Sequence, residues 1–137
     1  MPIKNLPLVG IRTFISVFSI FKTVREEKKW KKSYCPIDTF INVVKGKRKG
    51  TIILHLFQGD KRYSELVKLL TDISERMLTK QLKELESDGL INRTVFPEVP
   101  PRVEYSLTEL GKEIHPVLKE MYKGGILFEK SIYELHN

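Results

Sequence analysis

One cysteine, Cys35, in 137 residues leaves no disulfide to form within the chain. That scarcity fits a reducing cytoplasm better than an oxidising compartment. Histidine is almost as sparse: His55, His115 and His136 stand far apart, and no His/Cys set has metal-ligand spacing. Glu84 and Glu86 are two apart on one helix and do not face each other, so they form no acid/base pair. Gly46-Lys47-Arg48-Lys49-Gly50-Thr51 has the ingredients of a phosphate loop in the wrong order. Long hydrophobic runs are missing as well. Arg12 interrupts the apolar stretch from Leu6 to Phe21, and the remainder is too short to span a bilayer. Basic residues follow it, with no small-residue cleavage site. These absences predict no catalysis, no metal, no cofactor and no membrane span.

Positive charge is present, and it is unevenly placed. The net charge is +7, of which residues 1–34 carry +6 and residues 35–63 carry +4, while 64–107 carry −2 and 108–137 carry −1. A polyanion is the natural partner of such an excess; a merely solvated surface is the alternative.

Apolar periodicity and turn residues set out the elements. In an arm over residues 1–32, Ile11, Phe14, Ile15, Phe18 and Phe21 recur at near-helical spacing, and that face should bury against the rest of the protein or a second subunit. Cys35-Pro36 opens a first helix to about Val44, with Ile37, Phe40, Ile41 and Val44 on one side and Gly46 as its stop. A second helix spans about Lys49 to Phe57, with Ile52, Ile53, Leu56 and Phe57 inward. After Gly59-Asp60, Lys61-Arg62-Tyr63 reads as a short strand. Ser64 caps a short helix whose Leu66, Val67, Leu69 and Leu70 face the core. Thr71-Asp72-Ile73 is a turn, and Ser74 caps a longer helix to Ser87 with Leu78, Leu82 and Leu85 inward. Leu90 to Phe96 and Arg102 to Leu107 are strands around Pro97-Glu98-Val99-Pro100-Pro101, which cannot extend a ladder because proline has no N–H to donate. Thr108 caps a last helix. Its Leu110, Ile114, Val117, Met121, Phe128, Ile132 and Leu135 follow the 4-3 rhythm of a helix-on-helix seam, read as a dimer contact with a cap on its own domain as the alternative, and Pro116 and Gly124-Gly125 are expected to kink or break it.

Helix, helix, short strand, helix, turn, longer helix and two-stranded wing is the order of a winged helix-turn-helix, mainly α with a small β-wing (α+β), flanked by N- and C-terminal dimerisation helices. On the helix from Ser74 to Ser87, Arg76, Lys80 and Lys83 lie opposite the leucine seam, with Thr79 at the edge. Cations there suit base edges, and Ser74 and the helix N-terminus suit phosphates. Arg93 and Arg102 sit on the wing, where an arginine fits a narrow minor groove; pairing of Arg102 with Glu98 or Glu104 is the competing reading. Lys61, Arg62 and Ser64, with Tyr63, are candidate phosphate contacts. Cys35 stands where a helix begins, near Lys31 and Lys32, a setting that favours a thiolate; an inert structural cysteine is the alternative.

Several segments resemble the HxlR-type transcriptional regulators. They are Cys35-Pro36-Ile37, Gly46-Lys47, Arg62-Tyr63-Ser64-Glu65-Leu66, Ile73 through Leu90, and Arg93 through Gly111. The resemblance covers about residues 33–123. It implies a cytoplasmic homodimer that binds double-stranded DNA at a pseudo-palindromic operator. The divisions are an arm (1–32), the DNA-binding domain (33–110) and a C-terminal dimerisation helix (111–137). In that family the first and last helices usually build the dimer, which assigns Phe14, Phe18, Ile37, Phe40, Val117, Met121 and Phe128 to the interface. Several members sense oxidants or electrophiles through the cysteine before the proline, here Cys35. No small-molecule effector is assigned. The family usually carries an aromatic residue after Gly-Lys, where this chain has Arg48. A winged-helix protein-interaction module without specific DNA reading is the alternative function.

Overall fold

The computed structural model describes residues 35–137; the arm, with Phe14 and Phe18, lies outside them. Helix α1 (Pro36–Val44) begins behind Cys35, with proline in its first turn and Asp38 near its positive end. Helix α2 (Lys49–Phe57) follows a cap residue, Arg48, at φ 70°, a left-handed conformation uncommon for a residue with a side chain. Arg48 Nε donates to Asp72 Oδ2 at 2.6 Å, so this arginine ties the start of α2 to the later turn.

Strand β1 (Lys61–Arg62) leads into α3 (Tyr63–Leu69). The cap differs from the expectation. Arg62, not Ser64, is the N-cap; Ser64 lies inside the first turn, and the Glu65 carboxylate accepts the Arg62 backbone N–H at 2.7 Å. Tyr63 belongs to this helix rather than to the strand. Leu66 and Leu70 fill the core, while Leu69 is exposed: a two-turn helix offers one narrow inward arc, and residues four apart occupy it.

Helix α4 (Glu75–Ser87) is capped as expected, the Ser74 hydroxyl accepting the Met77 N–H at 3.1 Å. Its end is a Schellman motif: Leu90 N–H reaches Leu85 O and Gly89 N–H reaches Glu86 O, with Gly89 at φ 75°. Strands β2 (Ile91–Phe96) and β3 (Arg102–Leu107) form the wing. The sheet order is β1-β3-β2, all antiparallel, with Arg62 opposite Glu104 and Arg93 opposite Tyr105.

Helix α5 (Glu109–Leu135) is fastened to the end of α4. Thr108 Oγ1 accepts the Gly111 N–H at 3.0 Å and donates to Gly89 O at 2.7 Å. A Cβ on Gly111 would lie 2.2 Å from Leu90 O, so only glycine permits this approach. Helix α5 is not broken: it is continuous through Pro116 and Gly124-Gly125. Lys112, whose carbonyl loses its donor to the proline, and Pro116 are both exposed, so water can serve that carbonyl.

The core joins Ile52, Ile53 and Leu56 of α2, Leu66, the three leucines of α4, Leu90, Ile91, Tyr105, Leu107 and Leu118. Phe57, expected inward, is half exposed and stacks on His115 of α5 with ring centroids 3.4 Å apart. Among the described residues, no helix is long and apolar enough to cross a membrane.

Candidate nucleic-acid interface

Helix α4 separates its chemistry by face. Leu78, Leu82 and Leu85 are buried, whereas Ser74, Arg76, Lys80 and Lys83 are exposed. Among the described residues, Arg76, Lys80 and Lys83 make no ion pair. The helix is seated from behind by polar contacts as well as by leucines. Lys49 of α2 is buried and pairs with Glu84 at 2.6 Å, and buried Gln81 packs against Gly46, where any Cβ would collide with its Oε1. Thr79 is half-buried, its hydroxyl 3.1 Å from the Tyr63 hydroxyl, which also donates to the Glu75 carbonyl at 3.4 Å. That contact fixes α3 against the first turn of α4.

Between α4 and the wing lies a groove of about 900 Å³. Seven residues singled out in the sequence line it: Arg62, Tyr63, Ser64, Thr79, Lys83, Arg93 and Arg102. Strand β1, helices α3 and α4 and both wing strands therefore converge on one concave surface. Ser74, Arg76 and Lys80 continue it along the exposed face of α4 without lining the groove. Lys61 sits apart, its ammonium donating to Gly59 O at 3.1 Å.

Two arginines of this surface, Arg102 on the wing and Arg62 on β1, are paired. Arg102 lies 3.5 Å from Glu98 and 3.3 Å from Glu104, and its guanidinium rests 4.1 Å from the centre of the Phe96 ring. Arg62 approaches the same Glu104 at 3.7 Å. The competing reading of Arg102, pairing with Glu98 and Glu104, is thus what the geometry shows for the isolated chain.

Tyr105 and Glu86 also line the groove, and neither was singled out from sequence. Burial pushes the Tyr105 phenol above its ordinary range, against the opposing pull of Arg93 across the strand pair. Only the strand register, Arg93 opposite Tyr105, brings these two together, and that register is not written in either strand alone.

Ile37 is exposed on α1, and Phe40 is half-buried against the core. On α5, Leu118 is the last buried residue; Val117, Met121 and Phe128 are exposed, and residues 119–135 are all exposed. Cys35 is half-buried, its carbonyl accepting the Asp38 and Thr39 N–H groups at 3.0 and 3.3 Å.

A family model described as HxlR-like helix-turn-helix matches residues 43–132. The HTH-type transcriptional regulator YdeP of Bacillus subtilis (strain 168) is 46% identical over 101 residues, covering 74% of this chain and 79% of YdeP. Among solved structures, the redox regulator HypR in its reduced form superposes with a TM-score of 0.69 at 39% identity, covering 73% of this chain and 99% of HypR. Its oxidised form gives 0.63 at 44% identity, over 66% and 94% of the two chains. Diamide-treated YodB from B. subtilis gives 0.60 at 35% identity, over 71% and 97%.

Proposed function

The chain belongs to the HxlR-like helix-turn-helix family of transcriptional regulators, and from that premise we propose that it binds a specific, pseudo-palindromic DNA operator as a homodimer in the cytoplasm. The observation that carries this reading is the groove: residues from β1, α3, α4, β2 and β3, chosen on chemistry alone, line one concave surface. In this reading residues 33–110 are the DNA-binding unit. α4 enters the major groove, where Arg76, Lys80 and Lys83 face base edges and Ser74 and Thr79 lie near the backbone. Arg93 and Arg102 bring the wing to the flanking minor groove, and Lys61, Arg62 and Ser64 meet phosphates. Residues 111–137 are the dimerisation helix, with Val117, Met121 and Phe128 joined by Ile37 and Phe40 of α1; the arm, with Phe14 and Phe18, extends the same contact. The apolar surface of α5 beyond Leu118 supports this, because a face of that size is rarely left to water. Two-fold symmetry then puts half-sites ~34 Å apart, or a multiple of that.

The proposal includes a signal. HypR is a redox regulator, and Cys35 sits at the start of α1, next to the proposed dimer contact. With one thiol per chain, a disulfide requires a second molecule's thiol: two thiols lose two protons and two electrons to the oxidant as the S–S bond forms.

Selection of bound duplexes from a random pool at near-physiological salt tests the core of this. A recovered inverted repeat is the expected result. No enriched motif from folded dimer would replace the reading with a protein-interaction module. For Cys35, diamide treatment should alter operator binding by the wild type and leave Cys35→Ser unchanged; equal responses remove the sensor role.

A further inference from the structure

We infer that Glu104, assisted by Glu98, is a specificity-determining residue: its carboxylate restrains the groove arginines Arg62 and Arg102 from random DNA and releases them at the operator. The inference rests on the DNA-reading function proposed above and names the side chains that discriminate against the wrong sequence.

Glu104 lies in the central strand of the sheet, opposite Arg62 on β1, and Arg102 is two residues earlier on the same strand. A period of two puts Arg102 and Glu104 on one face. A single oxygen, Oε1, meets both arginines at Nε, at 3.7 Å for Arg62 and 3.3 Å for Arg102. Glu98, on the wing tip, adds a 3.5 Å contact to Arg102. All three are longer than the ~2.7–2.9 Å of a strong charge-assisted hydrogen bond. Arg102 Nε, though within ion-pair distance of Glu104, makes no hydrogen bond and is shielded from solvent. The guanidinium is therefore positioned, on Phe96 and between two carboxylates, with hydrogen-bonding capacity unspent. The part of the side chain that stays exposed, 26% of it, can meet a phosphate or a minor-groove base edge, and the shielded Nε gains an acceptor only once the guanidinium leaves Glu104.

Random duplex attracts the protein through phosphates, and that attraction scales with the number of cations free to displace counterions. Arg76, Lys80 and Lys83 are free in this sense; Arg62 and Arg102 are not, and Glu104 and Glu98 repel the same phosphates. At the operator, α4 docked in register holds the wing against a minor groove whose negative potential can replace the carboxylates. Pairing thus weakens random binding more than operator binding and widens the ratio between them.

The test compares the full-length wild type, Glu104→Gln, Glu98→Gln and Glu113→Gln on selected operator and scrambled duplex across a salt series. Glu113 is an exposed residue of α5 with no ion pair among the described residues, so its variant controls for one unit of net charge. Each arginine released adds about one phosphate contact, which steepens the random-duplex salt slope by about 0.9 and raises affinity about eightfold at ~0.1 M salt. Glu104→Gln should therefore raise random binding about eightfold or more and operator binding less. Glu98→Gln should act in the same direction and more weakly, since Arg102 keeps Glu104. Glu113→Gln should leave the ratio as it was. Random affinity unchanged or lowered in both wing variants, or raised no more than by Glu113→Gln, overturns the inference. Should Glu104→Gln distort the wing, Glu98→Gln at the exposed tip decides alone. A wild type without operator preference is a separate outcome, which removes the DNA-reading function itself.

Discussion

Helices α4 and α5 carry the same kind of apolar rhythm and meet opposite fates. On α4, Leu78, Leu82 and Leu85 are at most 1% exposed, covered by α2 and the sheet. On α5, Val117, Met121, Phe128 and Ile132 remain 40–68% exposed, and Leu118 is the last buried residue. The difference teaches what periodicity encodes. A 4-3 rhythm says that a face needs cover, and it is silent on whether the cover lies in the same chain or in another.

The largest way to break the comparison is to remove cover that exists. Leu82→Ala should cost about 2–5 kcal/mol of unfolding free energy, a large share of the ~5–15 kcal/mol that a domain of this kind possesses. The denaturant midpoint should fall sharply and independently of protein concentration. On α5, Phe128→Ala should leave the unfolding of dilute protomer unchanged and weaken the proposed dimer by about 2 kcal/mol, read by sedimentation equilibrium. A concentration-independent wild-type melting temperature would argue against the dimer altogether.

The outer face of α4 sharpens the contrast further. Arg76→Ala and Lys80→Ala should each lose about 1–3 kcal/mol of discrimination between operator and mismatched sites, whereas Lys61→Ala should weaken all duplexes evenly and flatten the salt slope by about 0.9. Equal losses on specific and random duplex for Arg76→Ala would strip that residue of its role. Removing the Ser74 cap with Ser74→Ala should cost about 1 kcal/mol, visible in thermal melts.

The smallest effect is electrostatic and lies outside both helices. The Arg48 hydrogen bond, with its charge, holds the Asp72 carboxyl below the ordinary aspartate range. A carboxylate depressed in the folded state stabilises the fold above its unfolded pKa, and that contribution disappears as pH falls through the lowered folded value. Asp72→Asn should therefore flatten the acid limb of stability against pH and leave neutral-pH binding intact. Both side chains are well exposed, so the shift in midpoint should be slight.

Local chemistry made much of the fold legible. Pro36, Ser74, Thr108, Gly46 and Gly89 act within a few residues of themselves, so α1, α4 and α5 start where their caps stand, and α4 ends at its glycine. What failed depended on neighbours distant in sequence. Ser64 has the chemistry of a cap, yet pairing of β1 with β3 holds Arg62 extended and starts the helix two residues earlier. Phe57 and Leu69 are apolar at inward spacing, but the core was already filled by Leu56, Leu66 and Leu70. The cations of the interface were readable as a set because α4 alone fixes the spacing of three of them. Pairing of Arg102 was readable from Glu98 and Glu104 close by in the chain, whereas the restraint on Arg62 became visible only with the β1-β3 register, which aligns it with Glu104.

Thr108 gives the molecule a mechanical property. Its hydroxyl and N–H bind Gly89 O and Leu90 O at 2.7 and 3.1 Å, so the end of α4 and the beginning of α5 turn as one joint. Beyond Leu118, residues 119–135 extend that joint by about 25 Å at 1.5 Å per residue. In a dimer gripped along this shaft, a ~10° swing of one protomer displaces its reading helix by ~4 Å, close to the ~3.4 Å rise of one base pair. In the proposed dimer the shaft would act as a lever with a gain of roughly one base step per ten degrees, so that slight repacking at its far end would change the operator spacing within reach.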